Sequence, residues 1–188
     1  LANIKEHIKK SVIITDVGST KGNVVAAAEA VFGVVPARFV PAHPIAGSEQ
    51  SGVLAGKVDL FQRHKVIITP LAETDSDATA LVKALWQAAG AEVLTMTVER
   101  HDQVLAKTSH LPHFLAFSLV NSLVRESSNL DVFRYAAGGF RDFTRIAGSD
   151  PLMWHDIYID NKNSLLEALE GFSAGVEQLN AAVVANDS

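Results

Sequence analysis

The sequence has no cysteine, which excludes disulfides, thiolate nucleophiles and thiolate metal ligands. That absence agrees with a reducing compartment, and the expectation is a cytoplasmic protein. No apolar run approaches the roughly 20 residues needed to cross a bilayer as a helix. The first residues lack the charged-then-apolar order of a signal peptide. Lysine and arginine number 16 against 21 acidic residues, and the basic ones are scattered. A net charge of −5 without a basic cluster excludes the counterion-displacing face that nucleic-acid binding needs. No repeat or low-complexity segment occurs. What remains is ordinary for a globular chain of 188 residues, 48% hydrophobic and 20% charged, long enough to bury a real core.

The chain opens on Leu1. Leu1, Ile4 and Ile8 fall at helical spacing and run directly into an apolar stretch, which reads as the tail of a helix cut short. A processed or tagged terminus is the alternative. Ser11–Thr15 is β-branched and apolar, as in a strand buried on both faces. It ends in the polar turn Asp16-Val17-Gly18-Ser19-Thr20-Lys21-Gly22, followed by an alanine-rich helix over Asn23–Phe32 that Gly33 stops. Arg38–Pro41 and Lys65–Thr69 read as further strands. Thr74 and Asp75 are N-cap candidates for a helix over Ser76–Ala89, ended by Gly90, with Ala78, Leu81, Val82, Leu85 and Ala89 on its apolar face. Glu92–Thr95 is a fourth strand. Strands alternating with helices to about residue 96 indicate a parallel α/β sheet.

From Val98 the period is helical. Val98–Glu126 carries Val104, Leu105, Leu111, Leu115, Leu119 and Leu123, with a kink or break expected at Pro112. Pro151–Val184 reads as a second long helical stretch bearing Leu152, Ile159, Leu165, Leu166, Leu169, Phe172, Val176 and Leu179. No strand is expected after residue 96. Two long apolar-faced helices suggest burial against a partner chain; a single-chain bundle would give the same pattern.

Open α/β sheets bind ligands at strand ends, and two polar constellations fall there: Asp16–Ser19 and His43-Pro44-Ile45-Ala46-Gly47-Ser48-Glu49. Ser19 serves equally well as a helix N-cap or as a site hydroxyl. His43 is either a loop histidine beside a proline or a group that exchanges a proton near neutral pH. The small residues and glutamate that follow favour a site. In Ser109-His110-Leu111-Pro112-His113 two imidazoles stand three apart, but no third ligand accompanies them, so no metal is expected. One is assigned to a ligand and the other to packing. Gly138-Gly139-Phe140-Arg141-Asp142-Phe143-Thr144-Arg145 reads as a glycine-hinged loop. Its guanidinium groups match an anionic substrate, or are surface charges, with Asp142 orienting a neighbour.

These segments resemble prephenate dehydrogenases: residues 15–22, 43–49, 109–113 and 138–147, with Ser-Asp-Pro-Leu-Met-Trp at 149–154, in the family's order and at similar spacings. The resemblance covers essentially the whole chain. It implies a partial Rossmann-like parallel sheet over 1–96, the C-terminal half of a dinucleotide-binding domain. An all-α substrate and dimerisation domain over 97–188 would follow. It implies NAD-dependent (or NADP-dependent) oxidative decarboxylation of prephenate to 4-hydroxyphenylpyruvate in tyrosine biosynthesis. Related members take arogenate, and some are inhibited by tyrosine. His43 would be the base at the ring hydroxyl, with Ser19 holding that hydroxyl near the nicotinamide and Asp16 and Gly18 on the cofactor side. Arg145 would bind a substrate carboxylate, with His113, Glu49, Asp142 and Trp154 lining the pocket. The family's helical domain forms an intertwined homodimer.

One feature departs from the family. The Gly-x-Gly-x-x-Gly turn that cradles a dinucleotide pyrophosphate occurs nowhere in the sequence, nor does the acidic residue after the second strand. The expectation is that this chain alone binds NAD poorly and is inactive while the parent protein is active. A non-catalytic tyrosine-sensing or dimerisation module is the competing reading.

Overall fold

The computed structural model describes residues 1–9, 11–47, 52–126 and 131–186. The chain divides into two compact units, Leu1–Asp102 and Gln103–Ser188.

The first unit is α/β. After a 3₁₀ turn over Ala2–His7 come β1 (Ile14–Thr15), α1 (Gly22–Phe32), β2 (Phe39–Val40) and β3 (Ala42–Ile45). Then follow β4 (Lys65–Ile68), α2 (Ser76–Ala88), β5 (Glu92–Thr95) and the start of α3 (Val98–Leu105). β1 and β2 pair in parallel. β4 is central to the other sheet, parallel to β5 and antiparallel to β3. Only Pro41 separates β2 from β3, so the chain passes from one sheet to the other across a single residue. The proline sits at an edge where its carbonyl still accepts the Thr69 N–H at 2.9 Å.

Several expectations change here. The first strand is two residues long and half-buried, with Ser11 and Val12 exposed. The opening segment is a 3₁₀ turn without a buried residue. The stretch read as a strand-end loop at His43 is itself a strand, β3. Pro44, on this edge strand, pairs with Val66 of the central β4, and at an edge a missing N–H costs the ladder least.

The core of this unit gathers Val40, Ala42, Val66, Ile68, Ala78, Val82, Trp86 and Ala91, with Ile13, Phe61 and Val93 packed against it. Asp75 caps α2 by accepting the Asp77 and Ala78 N–H groups. The buried face of α2 is Ala78, Val82 and Trp86; Leu81 and Leu85, expected on it, are 62% and 59% exposed. Trp86 wins because it meets Phe61 edge-on, ring centroids 5.1 Å apart.

Among its described residues the second unit has helices joined by short turns and no strand. The end of α3 runs into a π-helical turn, Ala106–His110, where the Leu111 N–H reaches back five residues to the Ala106 carbonyl. α4 (Leu111–Glu126) follows. Pro112 has no N–H to donate into the preceding turn, and the expected break takes this π form. Next are α5 (Asp131–Arg134), α6 (Gly138–Thr144), a 3₁₀ turn Arg145–Gly148, α7 (Pro151–Asp160) and α8 (Lys162–Ala185). The glycine-hinged loop is thus a helix start, not a loop. The second long stretch is two helices, divided at Asn161 (φ −113°). Asp150 caps α7 through the Leu152 and Met153 N–H groups. On α8, Leu165 is buried while Leu166, Phe172, Val176, Leu179, Val183 and Val184 are exposed. Among the described residues no helix is long and apolar enough to cross a membrane.

Candidate active site

In the first unit, β1 ends at Thr15, and the carboxylate of the next residue, Asp16, organises the turn that follows. Its Oδ2 accepts the Gly18 N–H at 2.8 Å and the Lys21 ammonium, and its Oδ1 accepts the Ala42 N–H at 3.0 Å. Lys21 Nζ also donates to the Ala42 carbonyl at 2.8 Å. The Lys21 side chain has no exposed surface. Burial pulls its ammonium below the ordinary lysine value, opposed by Asp16 through charge and hydrogen bond and by the charge of Asp102. Gly18 keeps the turn tight: a Cβ there would lie 3.0 Å from Asp16 Oδ2 and 3.4 Å from Val24 Cγ2, so these side chains would have to give way.

Ser19 is half-buried on this turn and does not cap α1. The cap comes from far along the chain: Asp102 accepts the Lys21 and Gly22 N–H groups at 2.9 and 2.8 Å. Asp102 Oδ1 also lies 2.8 Å from His101 Nδ1. Burial alone raises the Asp102 carboxyl. The hydrogen bonds from His101, Lys21 and Gly22 outweigh that and hold it below its ordinary value. His101, fully buried, places its Nε2 2.9 Å from Nδ1 of the half-buried His43. A continuous polar chain therefore runs His43–His101–Asp102 to the start of α1.

In the second unit, His113 stacks on Trp154 with centroids 3.6 Å apart and planes 18° from parallel. His113 Nδ1 lies 2.9 Å from the Ser109 carbonyl. Burial lowers the His113 imidazole below its ordinary value, and that hydrogen bond opposes the shift. His110 is buried in the π turn, its Nδ1 3.2 Å from Asn161 Nδ2. Tyr158 leans on Trp154 and Phe114. Burial pushes its phenol up. The Trp154 Nε1 and Tyr158 hydroxyl are buried without a hydrogen-bond partner among the described residues. Asp142 on α6 and Arg145 at the head of the 3₁₀ turn are exposed. Glu49 lies outside the described residues.

The arrangement thus brings Asp16, Gly18 and the backbone beside His43 together in one unit, and His113 with Trp154 in the other. Lys21, His101 and Asp102 are absent from the sequence-based set. A His-Asp dipeptide early in an otherwise apolar-periodic helix was the only signal for the last two.

Comparison with known proteins decides the family. The nucleotide-binding domain of prephenate dehydrogenase matches residues 1–95, and the prephenate dehydrogenase dimerization domain matches residues 97–188. The chain belongs to the prephenate dehydrogenase family. It is 41% identical to the cyclohexadienyl dehydrogenase of Zymomonas mobilis, over 96% of this chain and 61% of that protein. It is 42% identical to the prephenate dehydrogenase of Bacillus subtilis, over 96% of this chain and 49% of that one. Among solved structures it resembles prephenate dehydrogenase from A. aeolicus in complex with hydroxyphenyl propionate and NAD+. That match has a TM-score of 0.91 and 41% identity, covering 98% of this chain and 64% of that one. The chain therefore spans about half to three-fifths of the length of these two curated relatives.

Proposed function

We propose that the protein carrying this chain catalyses NAD(P)-dependent oxidative decarboxylation of prephenate to 4-hydroxyphenylpyruvate, with His43 as the base. The observation that carries the reading is His43 itself: an imidazole fixed on an edge strand by a buried partner, in a chain of this family. Residues 1–96 then form the C-terminal half of a dinucleotide-binding domain, and 97–188 the substrate and dimerisation domain.

The residues present fit one end of the cofactor only. Val17, 63% exposed beside Ser19 at the carboxyl end of β1, suits the flat nicotinamide end. The start of α1 does not suit a pyrophosphate, because its Lys21 and Gly22 amides are already taken by Asp102. With no Gly-x-Gly-x-x-Gly in the sequence, this chain alone binds NAD poorly and is inactive. Bound NAD supplies the acceptor for a hydride.

His43 takes the proton of the ring hydroxyl as the C–H bond on the same carbon gives up its hydride. The resulting ring ketone then loses carbon dioxide. The electron pair of the broken C–C bond moves through the ring to the oxygen, leaving an aromatic phenolate. That oxygen recovers the proton from His43, so the histidine ends the turnover neutral. Aromatisation drives the step, and the protein supplies a base, an anion clamp and orientation. Ser19 holds the hydroxyl, with Asp16 and Gly18 shaping the cofactor-side turn. Arg145 receives a carboxylate, while His113, Glu49, Asp142 and Trp154 contact the rest of the substrate. Tyrosine is a candidate inhibitor. Two copies pair through the exposed apolar face of α8, a second copy being the occupant that a dimerization-domain sequence favours.

The test is NADH formation from prephenate, and separately from arogenate, by the full-length gene product beside this chain. Turnover with prephenate that is lost in His43→Asn is the expected result. A full-length product inert with both substrates would overturn the enzymatic reading and leave a tyrosine-binding module to be tried by calorimetry.

A further inference from the structure

We infer that His101 and Asp102 are positioning residues that hold His43 in the one tautomer able to accept a proton at Nε2. The inference rests on the proposed role of His43 as base, but its first test does not.

A carboxylate has no hydrogen to donate, so the 2.8 Å contact between Asp102 Oδ1 and His101 Nδ1 requires Nδ1–H on His101. Neutral imidazole carries one N–H. His101 Nε2 is then a lone pair, and its 2.9 Å contact with His43 Nδ1 requires the hydrogen to be on His43. His43 is left with its basic lone pair on Nε2, the nitrogen remote from His101. The chain has a fixed polarity because its far end cannot invert. Asp102 also accepts two backbone N–H groups at the head of α1, and the amide of an asparagine there would set donor against donor. The competing arrangement is a doubly protonated His101 donating to both neighbours. It would seal a cation where exposure is 0% and force His43 into the Nε2–H form, which cannot take the substrate's proton. When Nε2 gains a proton, the same chain disperses the charge: His43 Nδ1–H donates to His101, whose own N–H points at the Asp102 carboxylate. All three side chains lie in the first unit, so the relay forms without any contribution from the second.

The test is long-range ¹H–¹⁵N NMR of this chain with ¹⁵N-labelled histidine, above the pH at which imidazoles charge, with His43 assigned by its loss in His43→Gln. Wild-type His43 should show the Nδ1–H pattern. His101→Phe removes the acceptor and should move His43 toward Nε2–H. His101→Gln keeps an acceptor oxygen and should retain the wild-type pattern. An Nε2–H pattern in the wild type, or no change in a folded His101→Phe variant, overturns the inference. Should His101→Phe fail to fold, the wild-type spectrum decides alone.

In the full-length gene product with prephenate, His101→Phe should lower kcat about a hundredfold, as for loss of a correctly presented general base, with KM little changed. His101→Gln should recover most of that rate. A loss shared equally by both variants would mean that His101 serves packing and not tautomer, and would overturn the kinetic half. Inert wild-type product would sink the proposed activity while leaving the tautomer assignment to stand or fall by NMR.

Discussion

Asp102 Oδ1 accepts the backbone N–H of Lys21 at 2.9 Å across 81 positions of sequence. This bond, with its neighbour to Gly22, does the work of a helix cap from a residue that no local pattern would nominate. Removing the carboxylate leaves these two N–H groups at a buried helix start, and the His101 Nδ1–H, without their acceptor. Asp102→Ala should therefore cost roughly 2 kcal/mol of stability, the sum of a lost cap and poorly satisfied donors. Urea denaturation of the wild type and variant reads this directly. A change below about 0.5 kcal/mol, the range of an ordinary surface substitution, would show that water replaces the carboxylate without loss.

Lys21 and Asp16 form the second polar anchor of the unit. A lysine with no exposed surface is tolerated because its ammonium reaches both Asp16 and the Ala42 carbonyl. Lys21→Met should cost roughly 3 kcal/mol, the low end for breaking a buried pair, since Asp16 keeps partial exposure and two backbone donors. In a double-mutant cycle with Asp16→Asn the coupling should be about 1–3 kcal/mol. Coupling near zero would show that the pair is a bystander to the packing around it.

The face of α2 offers a cleaner contrast. Trp86→Ala should cost roughly 3–5 kcal/mol, because the indole leaves a cavity against Phe61 and the strands. Leu85→Ala, at a side chain 59% exposed, should stay within about 0.5 kcal/mol. Comparable losses at the two sites would mean that another surface covers Leu85 in solution.

How far the sequence led can be traced residue by residue. β5 and the end of α1 at Gly33 are readable because they are local events: a short Val93-Leu94-Thr95 run just after Gly90, and a glycine whose φ of +86° favours no other residue. β3 is not, because Pro44 and His43 look like loop residues until β4 supplies their partners. The buried face of α2 is not legible in the sequence, because periodicity ranks leucine with tryptophan and only the position of Phe61 separates them. Gly138 reads as a hinge, although a glycine after an extended residue such as Ala137 marks a helix start equally well. The site followed the same rule. His43 stood out through its own dipeptide, whereas His101 acquires meaning only through a contact 58 positions away. Local chemistry was legible, and long-range pairing was not.

His113 gives the helical unit a dependence on pH. Burial against Trp154 lowers its imidazole in the folded chain, while the unfolded chain titrates near the ordinary value of about 6.5. Between those two values the unfolded state binds more protons than the native one, so stability rises with pH through that window. The contribution is complete above about 6.5 and is lost as pH falls through the folded value. Two measurements follow. The His113 ring C–H resonance should titrate with a midpoint below that of a free histidine. The urea midpoint should also fall between pH 7.5 and 5.5 more steeply in the wild type than in His113→Phe, which keeps the stacked ring and removes the titrating nitrogen. A midpoint at or above the free-histidine value, or equal slopes in the two proteins, would show that the stacked imidazole is solvated well enough to charge without loosening its hold on Trp154.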